Sequence, residues 1–479
     1  MNKIIKLIQI YFFAFVVNSN AQSGTFSAVQ TTGGGTTSNI RPRIALNKNS
    51  NPVLVWNKTS NKSVSSSVWN GTSFATPVTL TPMGVQADVF DWAGQEVAAI
   101  KDTVYVVYAS LNGSVSNVFI QKSINGGISF SDTTRVSNIG TDKARFPTVM
   151  INGNGQPAVA FMRMMNSWAM PHYVVSNSMN GGVSFMPDVD ASESVTGNDV
   201  CDCCPAAIVC NGSKQAMLFR DNDANARNIK AVFSYNNGAS FDISCTPDLN
   251  NWVLMACPSS GPDGHFGTDS LYSVFATGAV SPMQVFVSAS HPTSLQLGSH
   301  KVISVQTEQQ NYPRIAGSKD TIGIVWEQNN KVMFTYSFSG IAGLSNQLQV
   351  NATGDNASNP DIEFANGIFH IVWQSNSGMV HYRTYTIAGT VGIQEKDRND
   401  LRIFPNPSST FWEIESENRL PFSKMSLVNI LGQPIFTKAL IPDTILNETI
   451  SNHILPAGEY FLLLENKYQT FSYKLIKQN

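Results

Sequence analysis

An eight-residue segment recurs four times in this chain at an almost constant spacing. The segments read SVWNGTSF from residue 67, SINGGISF from residue 123, SMNGGVSF from residue 178 and SYNNGASF from residue 234. Successive segments begin 56, 55 and 56 residues apart. Repetition at a fixed period of this length indicates a fold built from equivalent supersecondary units.

A second motif follows the same period. Short strands begin at a proline, in RPRI from residue 41, FPTV from 146, CPAA from 204, YPRI from 312 and NPDI from 359. Each is followed by a turn and a more apolar strand, at 53–56, 158–162, 215–219, 322–326 and 369–373. About four strands per unit of roughly 50 residues predict an all-β fold, a β-propeller whose stacked blades bury one another's faces.

The number of blades follows from the number of units. Units begin near residues 41, 95, 147, 205, 262, 313 and 360, which predicts seven blades. Six is the alternative, if the irregular unit at 261–305 is an insertion. The last unit has room for only three strands before residue 390, so we expect TFSAVQT at 25–31 to supply the fourth and close the ring.

The octads resemble the Asp-box (BNR) repeats of sialidase-like propellers, over about residues 25–390. The resemblance implies structural turns between the outer strands of a blade, on the side opposite the ligand. Asparagine stands where aspartate is usual, and phenylalanine replaces tryptophan. Asparagine still accepts backbone hydrogen bonds and tolerates left-handed turns, so the structural role is retained. The turn residues are Asn125, Gly127, Asn180, Gly182, Asn236 and Gly238.

The N-terminus has the pattern of a secretory signal peptide. Lys3 and Lys6 precede a mostly apolar run at 7–17, and small residues precede a cleavage site after Ala21. The run is shorter than the ~20 residues that span a bilayer. We therefore expect residues 1–21 to be removed and the mature chain to have no membrane span.

The C-terminal segment predicts a small β-sandwich. Alternating strands are separated by turn signals such as Pro405-Asn406-Pro407 and Gly432-Gln433-Pro434. Together with the closing Tyr473-Lys474-Leu475, these motifs resemble the type A C-terminal sorting domain (Por secretion tail) of the type IX secretion system. The resemblance implies that residues 390–479 engage the secretion machinery and are then removed. The propeller at 22–389 is thereby released or attached to the outer-membrane surface.

Charge excludes two classes of partner. Charged residues make up 13% of the chain and the net charge is −2. Nucleic-acid binding and adhesion to anionic membranes both need a basic surface, so the composition favours neither.

Loops entering the blades and loops between second and third strands surround the axis on one face of such a propeller, where ligands bind. The resemblance to sialidases implies an arginine clamp for a substrate carboxylate, a tyrosine–glutamate nucleophile pair and an aspartate acid/base. The candidate residues are Arg43, Arg220 and Arg314 for the clamp, Tyr312 with Glu327 for the pair, and Asp91 or Asp221 for the acid. The Arg-Ile-Pro entry motif of that family is absent.

The cysteines are concentrated in two neighbouring loops. Cys201, Cys203 and Cys204 lie on the entry to blade four and Cys257 on the entry to blade five, while Cys210 lies in the inner strand region of blade four and Cys245 near the end of its last strand. An even number in an exported chain favours disulfides, and six cysteines allow 15 pairings. We expect Cys204–Cys257 and Cys210–Cys245.

Two further interpretations of the cysteines remain open. Copper or another soft metal suits thiolate and thioether ligands. The ligands would be drawn from Cys201, Cys203, Cys204 and Cys257, with Met162, Met164, Met165 or His172. The other interpretation is a reactive thiol.

The sequence as a whole predicts an exported propeller that binds a glycan or another surface ligand. A sialidase-like glycoside hydrolase is one alternative, and a protein-interaction scaffold is another.

Overall fold

The computed structural model describes residues 24–32, 38–112, 115–193, 200–292, 297–387, 401–430, 432–466 and 470–479. The regular elements in these ranges are β-strands. Within them, no helix has the length and apolar character that a membrane crossing needs. The predicted signal peptide with Ala21 and the predicted boundary at 389–390 lie outside the described residues.

Six blades each consist of four consecutive antiparallel strands, numbered from the innermost outwards. Blades one and two contain β3 (Asn39–Leu46), β4 (Pro52–Lys58), β5 (Ser63–Val68), β6 (Val78–Thr79), β7 (Glu96–Ile100), β8 (Thr103–Asn112), β9 (Val115–Ser123) and β10 (Thr134–Arg135). Blades three and four contain β11 (Lys143–Ile151), β12 (Pro157–Met164), β13 (His172–Asn177), β14 (Val189–Asp190), β15 (Ala207–Asn211), β16 (Lys214–Arg220), β17 (Ile229–Ser234) and β18 (Ile243–Cys245). Blades five and six contain β19 (Asp263–Phe266), β20 (Leu271–Thr277), β21 (Gln284–Ser290), β22 (Leu297–Val302), β23 (Gln310–Ser318), β24 (Thr321–Gln328), β25 (Lys331–Ser337) and β26 (Leu348–Gln349).

Blade seven joins the two ends of the ring. Its inner strands are β27 (Ala357–Ala365), β28 (Ile368–Ser375) and β29 (Val380–Ile387). The outer position is filled by β1 (Gly24–Phe26) and β2 (Gln30–Thr32), which both pair with β29. This confirms seven blades and closure by the N-terminal segment. The six-bladed alternative is wrong, because the unit at 261–305 forms a complete sheet.

The ring is continuous around its axis. Each inner strand contacts the inner strand of the next blade, and β27 returns to β3. The second strand of each blade is covered by the neighbouring blades and is buried on both faces, as in β4 and β20. This explains why their sequences are continuous apolar runs rather than alternating ones, and why Trp56 and Trp326 are fully buried.

The octads connect the third and fourth strands of blades one to four, as predicted. In blade three, the Ser178 hydroxyl donates to Asn180 Oδ1 (3.1 Å) and accepts from the Gly182 amide (2.8 Å). Asn180 Oδ1 also accepts from the Ser184 amide at 2.9 Å. The octads of blades two and four repeat this pattern. Gly182 has φ +83°, a conformation that favours glycine.

The C-terminal segment forms a separate two-sheet domain with its own core, which confirms the predicted sandwich. One sheet contains β30 (Leu401–Phe404), β31 (Phe411–Leu420) and β34 (Thr444–Ser451). The other contains β32 (Lys424–Asn429), β33 (Pro434–Ala439), β35 (Gly458–Glu465) and β36 (Thr470–Lys477). Trp412 and Ile414 from the first sheet pack with Leu427 and Leu462 from the second.

Candidate functional site

The start of several inner strands is bulged at the residue before the proline. This residue has φ near +50° in four blades, at Arg41, Phe146, Tyr312 and Asn359. The strand register shifts at the same points. Proline cannot donate to the ladder, which explains why pairing is interrupted there. The bulges lie at the face of the propeller where the inner strands begin.

A small depression at this face, which we call the axial mouth, is lined by Arg41, Arg43, Trp92, Glu96, Tyr312 and Arg314, with residues of the blade-four and blade-five entries. Its cavity of about 30 Å³ has room for roughly one water molecule. A sugar-sized ligand would therefore lie across the rim of the mouth.

The floor of the mouth is a buried ion network formed by residues from the innermost strands of five blades. Glu96 accepts hydrogen bonds from Arg41, from Arg43 at 3.2 Å and from Arg314 at 3.2 Å. Arg314 also contacts Asp361 at 2.8 Å and Asp263 at 3.4 Å. Three guanidinium groups thus face three carboxylates, so the charges in this network balance.

Burial and pairing act against each other on these groups. Burial alone would raise the pKa of Glu96, but Arg314, Arg41 and Arg43 outweigh it and lower that pKa to about 2. Burial would lower the pKa of Arg314, but Asp263, Asp361 and Glu96 hold it well above the usual value. Arg43 and Arg314, two of the predicted clamp residues, are therefore brought together, but both are already paired with carboxylates of the protein.

The third predicted clamp residue lies elsewhere. Arg220, at the end of β16, is fully buried and donates to the carbonyl oxygens of Ser260, Arg227 and Ala276. Its neighbour Asp221 contacts Lys230 at 3.8 Å, and burial raises the pKa of Asp221. Both residues support the loops of blades four and five rather than line the mouth.

The predicted nucleophile pair does come together beside the mouth. Burial, then the nearby carboxylates of Glu327 and Asp91, raise the pKa of Tyr312 to about 12. Burial raises the pKa of Glu327 to about 7, although the Asn359 amide donates to its carboxylate at 3.4 Å. The carboxyl groups of Glu327 and Asp91 thus lie near the Tyr312 phenol, which itself lines the mouth.

Trp92 connects the mouth to the cysteine loop. Its indole N–H donates to the Cys203 carbonyl oxygen at 3.1 Å. The Tyr173 hydroxyl donates to the next carbonyl, that of Cys204. The blade-four entry loop is therefore held by two aromatic side chains, one of which also lines the mouth.

The structure contains a disulfide between Cys203 and Cys257, which joins the entries of blades four and five. The expected Cys204–Cys257 bond is thus wrong by one residue, since Cys204 is buried on the inner side of the loop. The expected Cys210–Cys245 bond is also wrong. These residues lie on β15 and β18, the opposite edges of one sheet, about 14 Å apart at the usual strand spacing.

The donors for the predicted soft metal are partly assembled. The Sγ atoms of Cys201, Cys203 and Cys204 lie within 4.8 Å of one another. With Cys203 bonded to Cys257, Cys201 and Cys204 are the two members of this group that keep thiols. Of the predicted thioether ligands, Met162 and Met164 are buried in the core between blades three and four, and Met165 is exposed. His172 contacts Asp190 at 3.7 Å.

A larger cavity of about 650 Å³ follows the axis below the ion network and reaches the turns that follow the inner strands. Glu96 and Arg314 line both cavities, so the network separates them. Glu363 lines the larger one, and burial, then Asp361, raise its pKa to about 8.

The sequence interpretation missed Glu96, Asp263, Asp361 and Glu363. A signal for two of them existed, because Asp263 and Asp361 directly follow Pro262 and Pro360 as Arg43 and Arg314 follow Pro42 and Pro313. Charged residues at this one offset of the repeat all point to the same axial level. Glu96 has no preceding proline and gives no such signal.

The C-terminal domain matches a family model described as a secretion system C-terminal sorting domain, over residues 402–478. This confirms the predicted type IX sorting domain, and with it secretion or attachment at the outer-membrane surface. No curated protein gives a significant match to the sequence.

Solved structures share the propeller at very low sequence identity. Polysaccharide lyase Uly1 has a TM-score of 0.51 and 9% identity, covering 75% of this chain and 99% of that chain. A PL25 ulvan lyase bound to -[GlcA(1-4)Rha3S]- has a TM-score of 0.51 and 9% identity, covering 75% and 96%. The Trypanosoma rangeli sialidase in complex with the inhibitor DANA has a TM-score of 0.43 and 10% identity, covering 92% and 84%. The two lyase structures, with TM-scores above 0.5, therefore share the propeller fold with this chain.

Proposed function

We propose that the exported propeller binds a carbohydrate across the axial mouth. The observation that carries the proposal is that two aromatic side chains, Trp92 and Tyr312, line a mouth whose arginines are already neutralised. Both rings provide an apolar surface for a sugar ring, and the Tyr312 hydroxyl adds a hydrogen-bonding group, whereas the Trp92 N–H is already bonded to Cys203. The carboxylates of Asp91 and Glu327 add acceptors for hydroxyl groups.

The ion network favours carbohydrate binding over exo-sialidase activity, because the arginines that would hold a substrate carboxylate are already paired. A clamp needs guanidinium groups free to hold the substrate carboxylate bidentately. Arg314 already contacts three carboxylates of the protein and Arg43 contacts Glu96. A substrate carboxylate would have to displace one of these groups from a buried site, at a cost of several kcal/mol.

A glycan array with the full chain tests the proposal, followed by titration calorimetry on the best ligand. We expect Trp92→Ala and Tyr312→Ala each to weaken binding at least tenfold, about 1.4 kcal/mol. Phe338→Ala is the matched control, because Phe338 is 41% exposed and follows β25, in the third-to-fourth strand connection of its blade. Equal affinities for the three variants and the unmodified protein would contradict the proposal.

Hydrolysis of a glycoside is the second candidate, favoured by the proximity of Tyr312, Glu327 and Asp91. A carboxyl group with a pKa of about 7 is matched to proton transfer at neutral pH. A panel of fluorogenic glycosides that includes a sialoside tests this candidate. If it is correct, Tyr312→Phe and Glu327→Gln abolish turnover while Phe338→Ala does not. Absence of turnover by the unmodified protein across the panel would leave binding as the function.

A further inference from the structure

Four sulfur atoms meet at the entry to blade four. Cys203 is bonded to Cys257, at the outer side of the loop, where Cys257 is exposed. Behind this bond, Cys201 and Cys204 are both 0% exposed. The Cys201 Sγ lies 2.8 Å from the Cys204 Sγ and 3.7 Å from the Cys203 Sγ.

The separation of the two buried sulfurs discriminates between a covalent bond and a shared metal. Two thiolates on a tetrahedral metal with bonds of about 2.3 Å stand roughly 3.8 Å apart. A disulfide brings them to about 2.05 Å. At 2.8 Å the two sulfurs are about 1 Å too close for the metal and within about 0.8 Å of the covalent distance.

We propose that Cys201 and Cys204 form a second disulfide in the exported protein, buried behind Cys203–Cys257. The backbone already holds the two residues in a turn, because the Cys204 amide donates to the Cys201 carbonyl oxygen at 3.3 Å. The bond therefore requires a short movement of two side chains. Two crosslinks, one within the loop and one to the next blade, then fix residues 201–204.

The oxidant is an external disulfide, in either a small molecule or a protein, and it accepts the two electrons that the thiols lose. The Cys201 thiolate attacks one sulfur of R–S–S–R and expels one R–S⁻, and the Cys204 thiolate then attacks the Cys201 sulfur and expels the second. Two thiols become one disulfide, and two R–SH are formed. Because both side chains are fully buried in the folded loop, the exchange takes place before the loop packs.

In the packed loop, Cys201 has the more acidic of the two thiols. Its hydrogen bond with Cys204 is the largest influence that lowers its pKa, and the positive charges of Arg227 and Arg220 act in the same direction. Burial, then the same hydrogen bond, raise the pKa of Cys204 well above the usual value. This difference belongs to the packed loop and not to the open loop in which the exchange occurs.

The second disulfide would affect the axial mouth, because the loop that it fixes contacts an aromatic side chain there. The Cys203 carbonyl accepts the Trp92 indole N–H, and the Cys204 carbonyl accepts the Tyr173 hydroxyl. A loop fixed by two disulfides keeps both acceptors in place. The second bond thus holds one wall of the mouth, whatever ligand the mouth takes.

Counting thiols in the full chain tests the proposal. The protein is purified without reductant, unfolded in denaturant and alkylated, and its mass is measured by mass spectrometry to give the number of alkylated cysteines. We expect two alkylated cysteines, Cys210 and Cys245. Cys201→Ser should raise the number to three, because Cys204 loses its partner. Cys210→Ser is the matched control and should lower the number to one.

Other counts overturn the proposal. Four alkylated cysteines in the unmodified protein, falling to three in both Cys201→Ser and Cys210→Ser, would show that the buried pair is a dithiol. Metal analysis of the native protein then shows whether these two thiols bind a metal or are free. One equivalent of copper or zinc, lost in Cys201→Ser and retained in Cys210→Ser, would assign the pair to a metal, and no metal would leave two free thiols.

Discussion

Glu96 is the carboxylate that the three arginines of the axial network share. It accepts from three guanidinium groups and is 7% exposed. Without its charge, Arg41, Arg43 and Arg314 would share only Asp263 and Asp361, leaving an unpaired positive charge in a buried site. Breaking a buried pair by removing one partner is costly, because the remaining charge has neither water nor a counterion.

We therefore expect Glu96→Gln to lower the free energy of unfolding by about 3–5 kcal/mol. Denaturation in urea, followed by tryptophan fluorescence, measures this change. Glu308→Gln is the control, since Glu308 pairs with Lys331 near the surface and its loss should cost less than about 1 kcal/mol. Equal losses in the two variants would show that the network contributes no more than a surface pair.

Glu363 gives stability the opposite dependence on pH from an ordinary carboxylate. Its pKa is about 8 in the folded protein and near 4.5 when unfolded, so the folded state holds the proton more tightly. The stability that this provides is complete below about pH 4.5 and is lost as pH rises through about 8.

Glu363→Gln should therefore gain stability relative to the unmodified protein between pH 5 and pH 9. Thermal unfolding across this range measures the difference. Glu308→Gln is the control, because Glu308 has a pKa of about 2 and stays ionised throughout. A difference for Glu363→Gln that does not change with pH would contradict the raised pKa.

Among the elements, the octad turn depends on its buried serine more than on its exposed one. The Ser178 hydroxyl is fully buried and accepts from the amides of Asn180 and Gly182, whereas Ser184 only completes the exposed side of the turn. The turn positions the short fourth strand of its blade.

We expect Ser178→Ala to destabilise the protein by about 1–3 kcal/mol, because the buried Gly182 amide loses its acceptor. The exposed counterpart Ser184→Ala should cost less, since water replaces the lost bond. Chemical denaturation of both variants makes the comparison, and a larger loss in Ser184→Ala would reverse this assignment of roles.

The whole ring is closed by only six N-terminal strand residues. β1 and β2 pair with β29, and the Phe26 ring lies 4.8 Å from Tyr385 and 6.3 Å from Phe334. Without these strands β29 becomes an exposed edge, which is prone to pair with other chains.

A chain that begins after Thr32 should therefore melt roughly 5–10 °C lower and aggregate at lower temperature than one that begins after Ala21. Differential scanning calorimetry with light scattering measures both effects. Phe26→Ala should give a smaller shift in the same direction, since it removes the packing but keeps the ladder. Unchanged melting of the shortened chain would mean that the ring does not need its closing strands.

Much of the architecture was predictable from local patterns. The period of the octads, the proline-led strands and the three-stranded last unit follow from repeated short-range signals. They correctly predicted seven blades, the N-terminal closing strand and the C-terminal sandwich. Each blade is one supersecondary unit, so its strands and turns come from about 50 consecutive residues and can be recognised locally.

The site was only partly predictable. Tyr312, Glu327 and Asp91 were chosen from their positions in the chain, and the two carboxyl groups do lie near the Tyr312 phenol. The pairing of Arg43 and Arg314 with Glu96 was not foreseen, because Glu96 is 53 positions from Arg43 and 218 from Arg314, and the three meet only where the inner strands converge. Arg220 has the same charge but points into backbone carbonyls.

The sequence by itself determined the blades, the ring and the route of export, because strand periodicity, turns and sorting motifs are local properties of the chain. Only the tertiary structure decided which charges neutralise one another at the axis and that Cys203 rather than Cys204 bonds to Cys257. Both depend on side-chain directions in the closed ring, where a shift of one residue turns a side chain to the other side of its loop or strand.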